Sequence, residues 1–203
     1  ATDRGLCGGL NTILLRKLNE YIKAEASKEN SPALSFVAVG RKAQDFLRRS
    51  GKKIIAAYGA LSNHPKVSDT YAISRMVLQE YSAGTYDKVV LIYTDFVSVL
   101  TQKPQVRRLL PLSKYALGEM IEGIENKAHQ LTEFDEKGVL EYTFEPSPRE
   151  VLTQLLPRLT EMQIYQAILE AAASEHSARM FAMRNASDNA GEIISDLTLA
   201  YNG

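Results

Sequence analysis

The spacing of apolar residues predicts alternating helices and strands in the first 93 residues. Apolar positions that recur every three or four residues predict amphipathic helices, and short β-branched runs closed by glycine predict buried strands. The predicted helices are 11–26, 41–49 and 67–81, and the predicted strands are 35–39, 53–58 and 88–93. Because strands alternate with helices, and the third strand is almost wholly apolar, the pattern indicates a doubly wound (Rossmann-like) α/β domain with a mostly parallel sheet.

Beyond residue 93 the pattern weakens. Apolar runs at Phe96–Leu100 and Val139–Phe144 predict two further strands, while 104–138 carries no clear period. From Ser147 the pattern changes, because Ser, Pro and Glu at positions 147, 148 and 150 form a strong helix start. We therefore expect an α/β foot domain over 1–146 and a long helix over 147–203.

An apolar seam runs along this last helix. Its positions alternate in steps of three and four and are Leu152, Leu155, Leu159, Met162, Gln166, Leu169, Ala173, His176, Met180, Met183, Ser187, Ala190, Ile194, Leu197 and Tyr201. A seven-residue period sustained this long is typical of a coiled coil with a left-handed supercoil. A helix of this length spans roughly 80 Å and must project from a domain of this size.

Two features interrupt the helical pattern. Pro157 removes one helical hydrogen bond and predicts a kink or a break. Residues 185–191 are mostly weak helix formers, but the seam resumes at Ile194 and Leu197, which favours a continuous, locally soft helix. Since no other segment is long enough to cover the seam, we expect its partner helix outside this chain.

Composition narrows the function classes. The 24 basic and 24 acidic residues balance, so a binder driven by global charge, such as a nucleic-acid protein, is not expected. Cys7 is the only cysteine, which excludes an internal disulfide and a four-thiolate zinc site. No cofactor or metal site is predicted. No run of 18 apolar residues is present, so the sequence predicts no membrane-spanning helix.

Three short constellations have a functional and a structural interpretation. The Gly-rich turn at 3–10 leads into a helix and could hold a phosphate, but it lacks the P-loop Lys-Ser/Thr and the G-x-G-x-x-G spacing, which favours a tight structural turn with Cys7 buried. His176 lies in the seam without an orienting Asp, which favours a buried, hydrogen-bonded histidine over a catalytic base. The third group is a cluster of basic residues, which is better explained as a solvated or protein-facing surface than as a nucleic-acid binding site. Its members are Arg41, Lys42, Arg48, Arg49, Lys52 and Lys53.

The turn and the helix together resemble the gamma subunit of the F-type ATP synthase. The resemblance is carried by Asp-Arg-Gly-Leu-Cys-Gly-Gly-Leu-Asn at 3–11 and by four further blocks in the family's order. These blocks are 142–148, 173–180, 183–190 and 197–202. The Cys-Gly-Gly-Leu-Asn form is similar to bacterial members. Family members also have a strand and a long helix before this turn and a basic segment after Tyr201-Asn202.

The resemblance implies a non-catalytic subunit, one copy per complex, that forms the rotating central stalk. Its helix would wind with the family's N-terminal helix into an antiparallel coiled coil inside the hexamer of alpha and beta subunits. Its foot would contact the epsilon subunit and the membrane rotor ring, at the cytoplasmic face of the bacterial plasma membrane. By position, Arg179, Glu175 and Arg184 resemble residues that contact the beta subunit, and Tyr142 and Glu145 resemble residues that face the rotor ring.

Two alternatives remain open from the residues alone. One is a nucleotide-binding α/β enzyme that uses the Gly-rich turn, and the other is a coiled-coil adaptor without a motor function. A nucleotide at Gly8 and Gly9 would favour the enzyme, whereas a complex with an alpha and beta hexamer would favour the stalk.

Overall fold

The computed structural model of the chain describes residues 1–29, 31–59, 65–111 and 148–202, with side chains of the last helix from residue 155 onward. The mixed α/β class and the long C-terminal helix are confirmed. The elements are α1 (Leu10–Ala26), β1 (Phe36–Val39), α2 (Arg41–Arg49), β2 (Ile54–Tyr58), a 3-10 turn (Val67–Thr70), α3 (Tyr71–Ser82), β3 (Val89–Phe96), β4 (Gln102–Leu110) and α4 (Pro148–Asn202).

Strands β1 and β2 form a parallel pair connected through α2. Val39 lies opposite Tyr58, and the register has one irregularity between Phe36 and Val37. Helix α2 ends because Gly51 adopts a left-handed conformation, which lets its amide and the next one reach back to the carbonyls of residues 48 and 47. This ending matches the predicted end of the helix at residue 49.

Strands β3 and β4 form a second sheet in the described residues, and β3 pairs with β4. The connection is short, with Ser98 and Thr101 exchanging backbone hydrogen bonds of 2.9 and 3.1 Å, so the strands form an antiparallel hairpin. The predicted strand at Phe96–Leu100 is therefore wrong, because β3 ends at Phe96 and the following apolar residues form the turn. The other predicted strand, Val139–Phe144, lies outside the described residues.

The helix predicted over 67–81 begins four residues late as an α-helix. Residues 67–70 form a 3-10 turn, in which the Thr70 hydroxyl donates to the Val67 carbonyl (2.7 Å), and α3 follows from Tyr71. The Asp69 carboxylate accepts from the Lys66 amide (2.9 Å). These local side-chain bonds hold a tighter turn in place of the first α-helical turn.

Helix α4 is continuous over 55 residues. It begins at Pro148, as the helix-start residues predict. It runs through Pro157 without a break, so the break is excluded and the kink stays a prediction. A proline inside a helix costs about 3 kcal/mol through one lost hydrogen bond and the clash of its ring with the preceding turn, and a long cooperative helix can tolerate this cost. The weak helix formers at 185–191 stay helical, as predicted.

The chain divides into two compact units. The first contains Ala1–Thr70, Leu91–Val106 and Ile164–Gly203, and the second contains Tyr71–Val90 and Arg107–Gln163. The first unit therefore holds α1, the parallel pair, most of the β3–β4 hairpin and the C-terminal part of α4. The boundary predicted at residues 146 and 147 stays a prediction.

Gly40 is required where the chain start approaches β1, and we predict that Gly40→Ala destabilises the fold. Its φ is 89°, and a Cβ built there would lie 2.0 Å from the backbone oxygen of Ala1. The free energy of unfolding should fall by about 2–4 kcal/mol, measured by urea denaturation.

The matched control is Gly191→Ala. This glycine lies inside α4, and a Cβ added to it would meet nothing within 4 Å, so alanine should leave stability unchanged or raise it by up to about 1 kcal/mol. Equal effects of the two substitutions would contradict the close approach at Gly40.

Candidate functional site

One stripe of α4 is buried, and its residues are mostly small or polar. From residue 155 onward, the buried residues of the helix are Thr160, Gln163, Ile164, Ala167, Ser174 and Ser177. Their successive steps of three, one, three, seven and three residues place them on one face of the helix. We call this set the buried stripe. Within the first unit, its short side chains allow the helix to lie close to β3 and the hairpin turn.

The seam lies on the opposite face of α4 and is exposed. Ser174 and His176 differ by two positions, which is a rotation of about 200° around the helix. Every seam residue from Met162 to Tyr201 is exposed in the described chain, and Met180 keeps 57% of its accessible surface. His176 is therefore exposed as well, and the prediction of a buried histidine is wrong. The seam is covered by nothing among the described residues.

The residues predicted to contact the beta subunit lie at and beyond the C-terminal end of the buried stripe on α4. Arg179 forms an ion pair with Glu175 through one guanidinium nitrogen, and their side chains are only 19% and 22% exposed. Arg184, further along the helix, is exposed. The structure brings Glu175 and Arg179 together and leaves the other guanidinium donors of Arg179 for further contacts.

The Gly-rich turn is held against the start of α2. The Asp3 carboxylate accepts from the Arg41 amide (2.7 Å), and the Thr2 carbonyl accepts from the Lys42 amide (3.1 Å). These two amides belong to the first turn of α2, where a negative charge also favours the helix dipole. The turn therefore supplies the N-terminal cap that α2 lacks in its own sequence.

Asn11 connects both ends of the same turn. Its side-chain oxygen accepts from the Thr2 amide (3.1 Å), and its side-chain nitrogen donates to the Thr2 hydroxyl (2.7 Å) and to the Cys7 sulfur (3.3 Å). Cys7 is a free thiol and only 3% exposed, as expected of a small buried residue. These contacts support the structural interpretation of the turn.

A cavity of about 250 Å³ lies beside the turn in the first unit. Gly8 and Gly9 contribute to its wall, but most of the other walls are apolar side chains such as Ile13, Leu100 and Phe181. The lining contains no lysine or arginine. A nucleotide would need more room and a cation for its phosphates, so the cavity does not support the enzyme alternative.

The remaining candidate residues form no further metal or binding site among the described residues. All six residues of the basic cluster are exposed on α2 and the turn that follows it. Across residues 1–29, 31–59, 65–111 and 148–202 no group of three or more His, Cys, Asp or Glu side chains is placed to hold a metal ion. Tyr142 and Glu145 lie outside these ranges. No helix in them is long and apolar enough to cross a membrane.

Sequence reasoning missed the buried stripe. Hydrophobic periodicity detects large apolar residues, and Ser174, Ser177 and Thr160 carry none of that signal. A stripe of small residues opposite the seam, with Ala167 among them, could have indicated a close approach. Taken alone, the seam pattern predicts that the opposite face of the helix is solvated.

An α/β body with a long helix and an uncovered apolar seam is typical of an assembly subunit rather than of a free-standing enzyme. The family model described as ATP synthase matches residues 1–203. The chain belongs to the ATP synthase gamma chain family.

Curated relatives match nearly all of this chain. The ATP synthase gamma chain of Roseiflexus sp. (strain RS-1) is 42% identical over 200 residues, which are 98% of this chain and 62% of that protein. The one from Heliobacterium modesticaldum is 45% identical over 201 residues, which are 98% of this chain and 64% of that protein. The chain thus spans less than two thirds of the length of these relatives.

Solved structures share the fold. A chain from the central stalk and c-ring of Tetrahymena thermophila mitochondrial ATP synthase has a TM-score of 0.64 at 22% identity, covering 92% of this chain and 73% of that one. A chain from the rotor of the Euglena gracilis mitochondrial enzyme has a TM-score of 0.63 at 21% identity, covering 100% of this chain and 70% of that one.

We predict that Asn11→Ala loosens the Gly-rich turn. The substitution removes three hydrogen bonds and should lower the free energy of unfolding by about 1–3 kcal/mol. The Cys7 thiol should then react faster with a disulfide reagent under native conditions, measured by absorbance. Thr12→Ala, at an exposed neighbouring position, is the control and should change neither value. An unchanged thiol rate in Asn11→Ala would contradict the role of this side chain.

Proposed function

We propose that this chain forms part of the rotating central stalk of an F-type ATP synthase and has no catalytic site of its own. The observation that carries the proposal is the exposed seam, which runs from Met162 to Tyr201 on a continuous helix. Apolar residues with this period stay in water only at a large cost in free energy, so a partner helix is needed. Family membership and the central-stalk fold of the structural relatives support the same interpretation.

In this proposal α4 is half of an antiparallel coiled coil. The second helix lies outside this chain and packs on the seam residues Leu169, Ala173, His176, Met180, Met183, Ala190, Ile194 and Leu197. The coiled coil would stand inside the hexamer of alpha and beta subunits. Its faces differ in shape and charge, so rotation would present a different surface to each beta subunit in turn and change that subunit's conformation.

The α/β body would be the foot of the stalk. It would contact the epsilon subunit and the membrane rotor ring, with Tyr142 and Glu145 toward the ring. Proton flow through the ring would turn the foot, and the helix would transmit the torque to the head. The complex would place this subunit at the cytoplasmic face of the plasma membrane, one copy per enzyme. Nucleotide chemistry would belong to the beta subunits.

The seam can be tested by cysteine crosslinking in the assembled enzyme. Cysteine at Met183 or Ile194 should form disulfides with cysteines along the second helix of the full-length subunit, because these positions face it. Cysteine at Glu192, which is exposed but off the seam, is the matched control and should not crosslink. Crosslinks from Glu192 and none from Met183 and Ile194 would refute the proposed coiled coil.

We predict that Arg179 contacts the beta subunit and contributes little to the stability of the fold. Its guanidinium can hold carboxylates or carbonyls of a beta-subunit loop at two points, while its ion pair with Glu175 on the same helix is worth only about 0.3–0.5 kcal/mol. In Arg179→Ala, ATP synthesis by the assembled enzyme should fall several-fold, while the melting temperature of the isolated gamma and epsilon pair stays nearly unchanged.

Arg158→Ala is the matched control for this substitution. Arg158 also pairs with a glutamate of its own helix, Glu161 at 3.3 Å, but its side chain is 75% exposed. We expect normal synthesis from it. If Arg179→Ala also makes ATP at the wild-type rate in a normally assembled enzyme, the proposed contact of Arg179 with the beta subunit is refuted.

A further inference from the structure

Three hydroxyl groups of α4 donate hydrogen bonds to main-chain carbonyls of the first unit. Tyr165 donates to Pro65 (3.3 Å), Ser174 to Thr94 (3.4 Å) and Ser177 to Val99 (2.8 Å). These donors span 12 residues of the helix, which is about 18 Å along its axis. Ser174 is fully buried and Ser177 is 8% exposed, so water does not readily replace the bonds of these two serines.

Two of the three acceptors, the carbonyls of Thr94 and Val99, are themselves fixed. The Val99 carbonyl also accepts from the Gln102 side-chain nitrogen (2.8 Å), and that nitrogen donates to the Ser98 carbonyl as well (3.1 Å). Ser98 and Thr101 close the same turn through their backbones. Thr94 lies in β3 and is buried. The two serine hydroxyls therefore meet carbonyls whose positions are set by the hairpin.

Such bonds determine how the helix is placed on the body. Apolar packing is not directional, so a helix held by it alone could turn or slide at small cost. A serine hydroxyl reaches only one or two acceptors, and a shift of one residue turns the helix by about 100° and moves it by about 1.5 Å. The three bonds exist together in only one setting of the helix.

We propose that Tyr165, Ser174 and Ser177 are positioning residues that lock α4 to the α/β body against rotation about its own axis. This inference rests on the proposed function. In a rotary stalk, torque enters at the foot and leaves through the helix, so every turn loads this joint. If the joint slips, the head turns the helix while the foot lags behind, and ATP hydrolysis is no longer coupled to proton movement.

The test uses the ATP synthase assembled around the full-length subunit that contains this sequence, in inverted membrane vesicles. Tyr165→Phe, Ser174→Ala and Ser177→Ala are combined, and ATP hydrolysis and ATP-driven proton pumping are measured per assembled enzyme. We expect hydrolysis within two-fold of wild type and at least a three-fold loss of protons pumped per ATP. If the triple variant does not assemble, Ser177→Ala is tested alone. We then expect a smaller loss of protons pumped per ATP, and an unchanged ratio would overturn the proposal.

Thr160→Val is the control, because this buried hydroxyl donates to Leu156 of its own helix (2.9 Å). It should retain the wild-type ratio of pumping to hydrolysis. Restoring a hydroxyl as Ser177→Thr in the background of the other two substitutions should recover part of the coupling. A triple variant with an unchanged ratio, or with hydrolysis and pumping reduced in parallel, would overturn the proposal, as would a failure of threonine to restore coupling.

The wild-type enzyme separates this inference from the proposed function. If wild-type vesicles that contain the subunit hydrolyse ATP without pumping protons, the proposed function itself fails. If the wild type pumps and the triple variant pumps equally well, only the role of the three hydroxyl groups is refuted.

Discussion

The architecture depends on the division of α4 into two faces with opposite requirements. One face carries short side chains that let the helix approach strand β3 and the hairpin turn, and the other carries large apolar residues that remain exposed. A large residue at Ser174 would hold the helix away from the body, and a polar residue at Met183 or Ile194 would remove the reason for a partner. The same helix can therefore belong to a globular unit and to an assembly.

A second constraint acts at the Gly-rich turn. The chain that leads into it passes close to Gly40, its Asp3 caps α2, and Asn11 ties Thr2 to the first turn of α1. Helix α2 then has a carboxylate at its N-terminus and Arg48 and Arg49 in its last turn, which suits the helix dipole at both ends. The glycines of this turn thus serve packing and capping, and their resemblance to a phosphate loop is superficial.

Much of the fold could be predicted from the sequence because its signals are local. Gly40 and Gly51 flank α2, and its predicted bounds agree with the structure; Ser147 and Pro148 likewise mark the start of α4. Strand β4 was missed because Lys103, Pro104 and Arg107 give it the polarity of a loop, and its pairing with β3 is a tertiary effect. The exposure of His176 could not be predicted either, since it depends on which face of α4 the body covers.

The anchoring of α4 has a mechanical consequence. Its last buried residue is Ser177, the cavity beside the Gly-rich turn extends along it to Asn185, and every residue over 186–202 is exposed, so residues 186–202 form an overhang of about 25 Å. A beam clamped at one end bends most at its root when its tip is pushed sideways. In α4 this root lies at Asn185, and the bond from Ser177 and the partly buried Glu175–Arg179 ion pair lie within three turns of it, where the helix transfers that load to the body.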